Sequence, residues 1–173
     1  MSRSVFNRVG AFILASGGAA MAAACLLSPA PARAQDQSAA TTKDLIFARK
    51  IVMNTIGKNM DELEGVLETD KKIDLPDAAE HADAISVLLM AFPHLFAPAS
   101  NQWKAGAARD PGVDTFASPD AWTNYAEFYR LAGAASKTAF NASRARDEAT
   151  FRKFGAELRA TCDACHAAFM KQE

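Results

Sequence analysis

The chain closes on "TCDACHAAFMKQE", residues 161–173. Working back from Phe169, the residues Phe169, Cys165, Cys162, Leu158, Phe154 and Phe151 fall three and four apart, the period of one helical face. Residues i, i+3 and i+4 share such a face, so Cys162, Cys165 and His166 project together into whatever this last helix covers. The helix begins near Asp147, after a break at "NASRARDE".

The same period runs through the rest of the chain. In "DLIFARKIVMNTIGKNMDELEGVLE" the positions Ile46, Arg49, Met53, Ile56, Met60, Leu63 and Leu67 alternate spacings of three and four, a seam suited to shallow packing in a bundle. One member of the seam is a cation, and a buried charge is costly unless an anion meets it. A second helix opens near Pro76 and points Ala78, His81, Ile85, Leu88, Leu89 and Phe92 inward until Pro93 ends or kinks it. The connector "HLFAPASNQWKAGAARDPGVDTFAS" is long for a compact domain, so Trp103 and Phe116 are expected to plug it onto the core. A third helix starts at "SPDAW", with Ser118 as N-cap and Pro119 at the first helical position, and shows Trp122, Tyr125, Tyr129, Ala132 and Phe140 on one stripe. No segment alternates apolar and polar residues as strands do. The expected fold is all-α, an antiparallel four-helix bundle.

The first 34 residues read as a secretory signal peptide: Arg3 and Arg8 without an acid, a small apolar run, and an Ala-x-Ala site at Ala32 and Ala34. The alternatives are an uncleaved anchor over residues 9–27 and lipidation at Cys25. Arg3 and Arg8 are not a twin pair, so export is of an unfolded chain, to the periplasm. Cleavage leaves residues 35–173 as the folded unit and removes three bases and no acid, so 16 bases stand against 20 acids. That balance argues against nucleic acid or an anionic membrane as partner. Cleavage also removes Cys25, leaving Cys162 and Cys165. The "NAS" at residues 141–143 matches a glycosylation sequon but falls in a helix end.

Cys-x-x-Cys-His attaches haem: two thiols add across the vinyl groups as thioethers while the adjacent imidazole coordinates iron. A zinc site needs further ligands, and residues 35–173 hold no second cysteine pair. A thioredoxin-type dithiol belongs at a helix N-terminus after a strand, not near a helix end. A disulfide here would close a four-residue loop already rigid in a helix.

With these motifs the chain resembles the class II c-type cytochromes, cytochrome c′ and its low-spin relatives. The resemblance rests on "CDACHAAF", with Phe169 three residues after His166, and on "RKIVM", where Arg49 and Met53 fit an Arg-x-x-x-Met/Leu pattern. It covers the chain from about residue 42 onward and implies one covalent haem c near the bundle end, held by Cys162 and Cys165, with His166 as proximal ligand. It also implies a haem propionate as the partner of Arg49, the alternative being an inter-helix pair with Asp or Glu. Lys50 assists there or is simply solvated. The family pattern places Arg or Lys after the aromatic that follows the haem motif; this chain has Met170 there, with Lys171 one position further round.

Met53 decides the expected function. As a sulfur ligand it makes a six-coordinate electron carrier; packed over the distal face, it leaves an open site for NO or CO. The likeness of "MNTIGKNM" and "FPHLF" to the low-spin members favours ligation and a periplasmic electron-transfer role with a redox partner protein. Gas binding is the alternative. Gly57 either permits a close approach or only weakens its helix. His81 and His94 are minor candidate ligands: His81 reads rather as a core histidine bonded to a backbone carbonyl, and His94 as exposed or capping a helix end. Trp122, Tyr125 and Tyr129 are expected in the core or around the haem. No enzymatic activity is expected, nor a stable membrane association once the leader is gone, and family members often form homodimers through the first two helices.

Overall fold

The computed structural model describes residues 41–68, 72–104 and 115–170. The expected signal peptide, Cys25 and residues 35–40 lie outside the described residues. Among the described residues five α-helices follow one another: α1 Thr42–Leu67, α2 Leu75–Ala91, α3 Asp120–Thr123, α4 Tyr125–Ser143 and α5 Glu148–Phe169. α3 is a single turn leading into α4, so the architecture is the expected four-helix bundle. Among the described residues the only β pairing is an isolated bridge between Ala117 and Met170.

Local chemistry sets the helix starts. Thr41 and Asp44 form a reciprocal box at the head of α1: the Thr41 hydroxyl accepts from the Asp44 amide, and the Asp44 carboxylate accepts from the Thr41 amide at 3.0 Å. The Thr41 hydroxyl also donates to that carboxylate at 2.6 Å, and this bond first, then the amide's, holds the Asp44 carboxyl below its ordinary range. Asp74 caps α2 with Pro76 in its first turn, and Asp147 caps α5 by accepting from the Thr150 amide at 2.8 Å. Pro93 stops α2 as expected; the chain tightens into a 3-10 turn over Phe92–Leu95.

The core has two parts. Along the body of the bundle, Ile56, Met60, Leu63, Ile85, Phe151 and Leu158 pack together with small residues of α2 and α4. At one end, Phe92, Phe96, Ala121, Phe128 and Phe169 form an aromatic cluster. Val52 and Met53 touch both parts, whereas Cys162 packs on the body and Cys165 on the aromatic end. The haem motif therefore spans the boundary between them.

α2 packs against α4 and α1, and α4 also against α5. Ala78 and Ala82 on α2 and Ala135, Ala139 and Ala142 on α4 are buried, and a hydrogen bond from the Ser136 hydroxyl to the Ser86 carbonyl at 2.8 Å links these two helices through the core. At the far end of α1, Arg152 donates to the Leu67 carbonyl at 2.8 Å, satisfying one of the carbonyls a helix end leaves open. Gly155 permits α5 to approach α1 there, since a Cβ at this position would lie 2.6 Å from a Leu67 methyl. At Gly57 an added Cβ would meet no protein atom within 4 Å, so no neighbouring helix requires that glycine.

The seam of α1 is as expected, with Ile46, Arg49, Ile56, Met60 and Leu63 buried. α4 differs. Tyr125, Tyr129 and Phe140 are exposed, and the buried stripe is Phe128, Ala132, Ala135, Ala139 and Ala142. A helix rich in alanine packs on its small side when the neighbouring helix comes close, so aromatic residues mark the wrong phase. Ser118 is not the N-cap either. Its carbonyl accepts from the Ala121 amide, while its hydroxyl is buried without a partner. Trp103 and Phe116 do not plug the core; they are 46 % and 51 % exposed.

Candidate functional site

A cleft of about 510 Å³ opens at the aromatic end of the bundle, within the size range of cofactor sites. α1 contributes Arg49, Lys50, Met53 and Asn54, and α5 contributes Cys165, His166 and Phe169. Phe92 and Phe96 line it from the turn after α2, and Phe128 from α4. Thr115, Phe116, Ala117 and Met170 form a rim. That rim is pinned: the Ser118 amide donates to the Phe169 carbonyl at 2.8 Å, beside the Ala117–Met170 bridge.

Four of the five expected site residues, Arg49, Met53, Cys165 and His166, thus meet in one cleft. Cys162, the fifth, lies one turn before His166, on the body-facing side of the boundary. His166 is part-buried, and burial holds its imidazole below the ordinary histidine range, with Arg159 acting in the same direction and Asp163 opposing. A neutral imidazole has a lone pair free for a metal. Both thiols are free. Burial pushes the Cys165 thiol up to about 11, with Cys162 adding to it, and burial also raises Cys162 itself. These are not the activated thiolates of a redox dithiol, which need a lowered pKa.

Arg49 is 3 % exposed. One guanidinium nitrogen donates to the Ser100 hydroxyl at 2.7 Å and to the Leu95 carbonyl at 3.1 Å, and the other donates to the Ser100 carbonyl at 3.3 Å. The group lies over the Phe96 and Trp122 rings at 4.7 and 5.2 Å. All of these partners are neutral, so the inter-helix pair with Asp or Glu is not what the chain forms. Nε is buried without a partner, and burial lowers the group to about 10. A buried cation on the wall of an apolar cleft, with one donor unused, is a receptor for a carboxylate.

His81 and His94 are absent from the cleft lining. The Nδ1 of His81 pairs with the Asn59 side chain at 2.9 Å, between α2 and α1. His94 is exposed and meets the Tyr129 ring edge-on at 5.8 Å. Tyr125 and Tyr129 do not line the cleft; Trp122 lies behind Phe96 at 5.0 Å. Sequence reasoning missed Phe128 and Ser100. The first carried a signal, its spacing of four from Ala132; the second is brought to Arg49 from 51 residues away and carried none.

The features present fit a haem: an apolar slot, two unpaired thiols and an imidazole on one helix, and an unsatisfied buried guanidinium at the wall. Among the described residues no three His, Cys, Asp or Glu side chains gather as a metal cluster of their own.

The sequence model of the family described as Cytochrome C' matches residues 44–170. No curated protein sequence matches the chain. Among solved structures, cytochrome c′ from Rubrivivax gelatinosus is 22 % identical with a TM-score of 0.63, over 75 % of this chain and 97 % of that one. The nitric oxide complex of a mutant cytochrome c prime from Alcaligenes xylosoxidans is 18 % identical with a TM-score of 0.64, over 77 % and 98 %. A cytochrome c′ described as having an unusual ligand-controlled dimer dissociation is 16 % identical with a TM-score of 0.64, over 78 % and 100 %. At these identities the structures establish a shared fold.

Proposed function

We propose, for a chain that belongs to the cytochrome c′ family, that it is a periplasmic haem protein whose iron takes His166 on one side and keeps the other open to a neutral diatomic gas such as NO or CO. The family's cofactor is covalently attached haem c, and it is the cofactor of this chain. When bound, haem supplies an iron centre that changes by one electron and takes up small ligands. Cys162 and Cys165 hold it by thioethers, His166 presents its neutral imidazole, and Arg49 turns its free Nε to a propionate.

One observation carries the gas-binding reading over electron transfer. The cleft wall offers Met53 among Phe92, Phe96 and Phe128, with no imidazole besides His166. Met53 is wedged between the two core clusters as a packing group. Met53 and these three phenylalanines give a bound ligand neither charge nor a proton, which suits an uncharged gas. The nitric oxide complex of a structural relative supports the same reading. The electron-transfer reading, with Met53 on the iron, has the membership of both residues in one cleft behind it, and spectra separate the two. The ferric protein is expected to be high-spin without a sulfur-to-iron charge-transfer band. Met53→Ala is then expected to leave the spin state unchanged while CO binds the ferrous form faster. A low-spin native spectrum that turns high-spin in Met53→Ala instead establishes Met53 as ligand and the electron carrier.

No described helix is long and apolar enough to cross a membrane. α1 and α2 expose Phe47, Ile51, Val87 and Met90, and a second copy of the chain is the partner we assign to them. The holoprotein is expected to sediment as a dimer at micromolar concentration, and the pair of changes Phe47→Lys and Val87→Lys to yield a monomer with an unaltered haem spectrum. A native protein that sediments as a monomer contradicts this assignment.

A further inference from the structure

One side of the aromatic end is not used by the site as described. From Phe128, which lines the cleft, a run of rings leads outward: Tyr125 at 6.3 Å, Tyr129 at 6.2 Å from Tyr125, and His94 at 5.8 Å from Tyr129. Tyr129 and His94 are at the surface. A second oxidisable ring, Trp122, sits behind Phe96 at 5.0 Å. We propose that Tyr125 and Tyr129 form an outlet that carries an oxidising equivalent, left at the cofactor by hydrogen peroxide, to the protein surface. This rests on the haem reading above.

The local chemistry directs the charge to Tyr129. Removing an electron from Trp122 creates a positive ring, and its indole N–H donates to the Ala97 carbonyl at 3.2 Å, which takes up no proton. Trp122 is therefore held against oxidation. Tyr125 donates its hydroxyl to the Pro93 carbonyl at 3.2 Å, and an amide carbonyl does not take up the phenolic proton. It serves as a stepping point. Tyr129 is 42 % exposed, so water can take its phenolic proton.

The step balances. Hydrogen peroxide, with two protons from solvent, would take two electrons from the haem-loaded protein and become two waters. Tyr129 would give one electron, which crosses Tyr125 and Phe128 inward, and its phenolic proton leaves to water. A neutral Tyr129 radical remains. A thiol reductant in solution then restores Tyr129 with one electron and one proton and becomes a thiyl radical; a second round meets the remaining deficit.

The test uses the haem-loaded protein, mixed with hydrogen peroxide and frozen for electron paramagnetic resonance, in native form and as Tyr129→Phe, Tyr125→Phe and Trp122→Phe. Tyrosine-to-phenylalanine changes keep the rings, and far-ultraviolet circular dichroism verifies the fold. The native protein is expected to show a tyrosyl radical, Tyr129→Phe to lose most of it and to bleach its haem faster, and Trp122→Phe to retain it. An equal tyrosyl signal in Tyr129→Phe, or none in the native protein, overturns the outlet while leaving the haem reading intact. A protein without covalent haem overturns both.

Discussion

Replacing Cys162 and Cys165 together by alanine is expected to turn a pigment that survives acidified organic extraction into one that is extracted completely. Both sulfurs sit on the face of α5 that carries His166, one against the body of the bundle and one at the cleft. Both are free thiols, held neutral by burial until a vinyl group consumes them. Either single change leaves one thioether, so each is expected to resist extraction and to differ from the native protein in its ferrous absorption. Loss of attachment also loosens the fold, because a group that binds only the folded state stabilises it. The double variant should therefore unfold at a lower temperature than the native holoprotein. Complete retention of pigment in the double variant would contradict the assignment of these residues.

The second large effect is expected at Arg49. Arg49→Leu removes three hydrogen bonds to Leu95 and Ser100 and leaves their acceptors buried without a donor. In the holoprotein it also strands a propionate at an apolar wall. Breaking one side of a buried charge pair costs about 3 kcal/mol, and that is the loss expected in denaturant unfolding of the haem-loaded protein. Two effects oppose each other in the protein without haem: the acceptors are orphaned, but a desolvated cation pressed down to about 10 is removed. The apoprotein is therefore expected to lose less stability than the holoprotein. Equal losses in the two forms contradict a propionate as the partner of Nε, since only that contact depends on the haem.

Much of this site was legible because its signals are local. The five residues of the haem motif share one turn and a half of helix, and the seam of α1 places a cation on a buried stripe, which by itself asks for an anion. Caps such as Asp147 and the stop at Pro93 also act within a few residues. What was not legible depends on distance or on phase. Ser100 reaches Arg49 through a connector whose course no local rule fixes. In α4, alanines fill both sides of the helix, so the large rings at Tyr125, Tyr129 and Phe140 suggested an inner face that the close approach of α2 reverses. Ser118 shows a third kind of miss. The sequence Ser-Pro-Asp has the chemistry of a helix start, yet the chain spends Ser118 on the pairing of its amide with Phe169, and the helix begins in two pieces, α3 and α4, around Asn124.

The account rests on one cofactor joined by two sulfurs to the end of α5. Mass spectrometry of the protease-released peptide that contains both cysteines, from protein matured where haem attachment operates, reads this directly. The account predicts a single species heavier than the bare peptide by one haem, with neither Cys162 nor Cys165 open to alkylation. A peptide of bare mass with two alkylated cysteines, or with a disulfide between them, contradicts it.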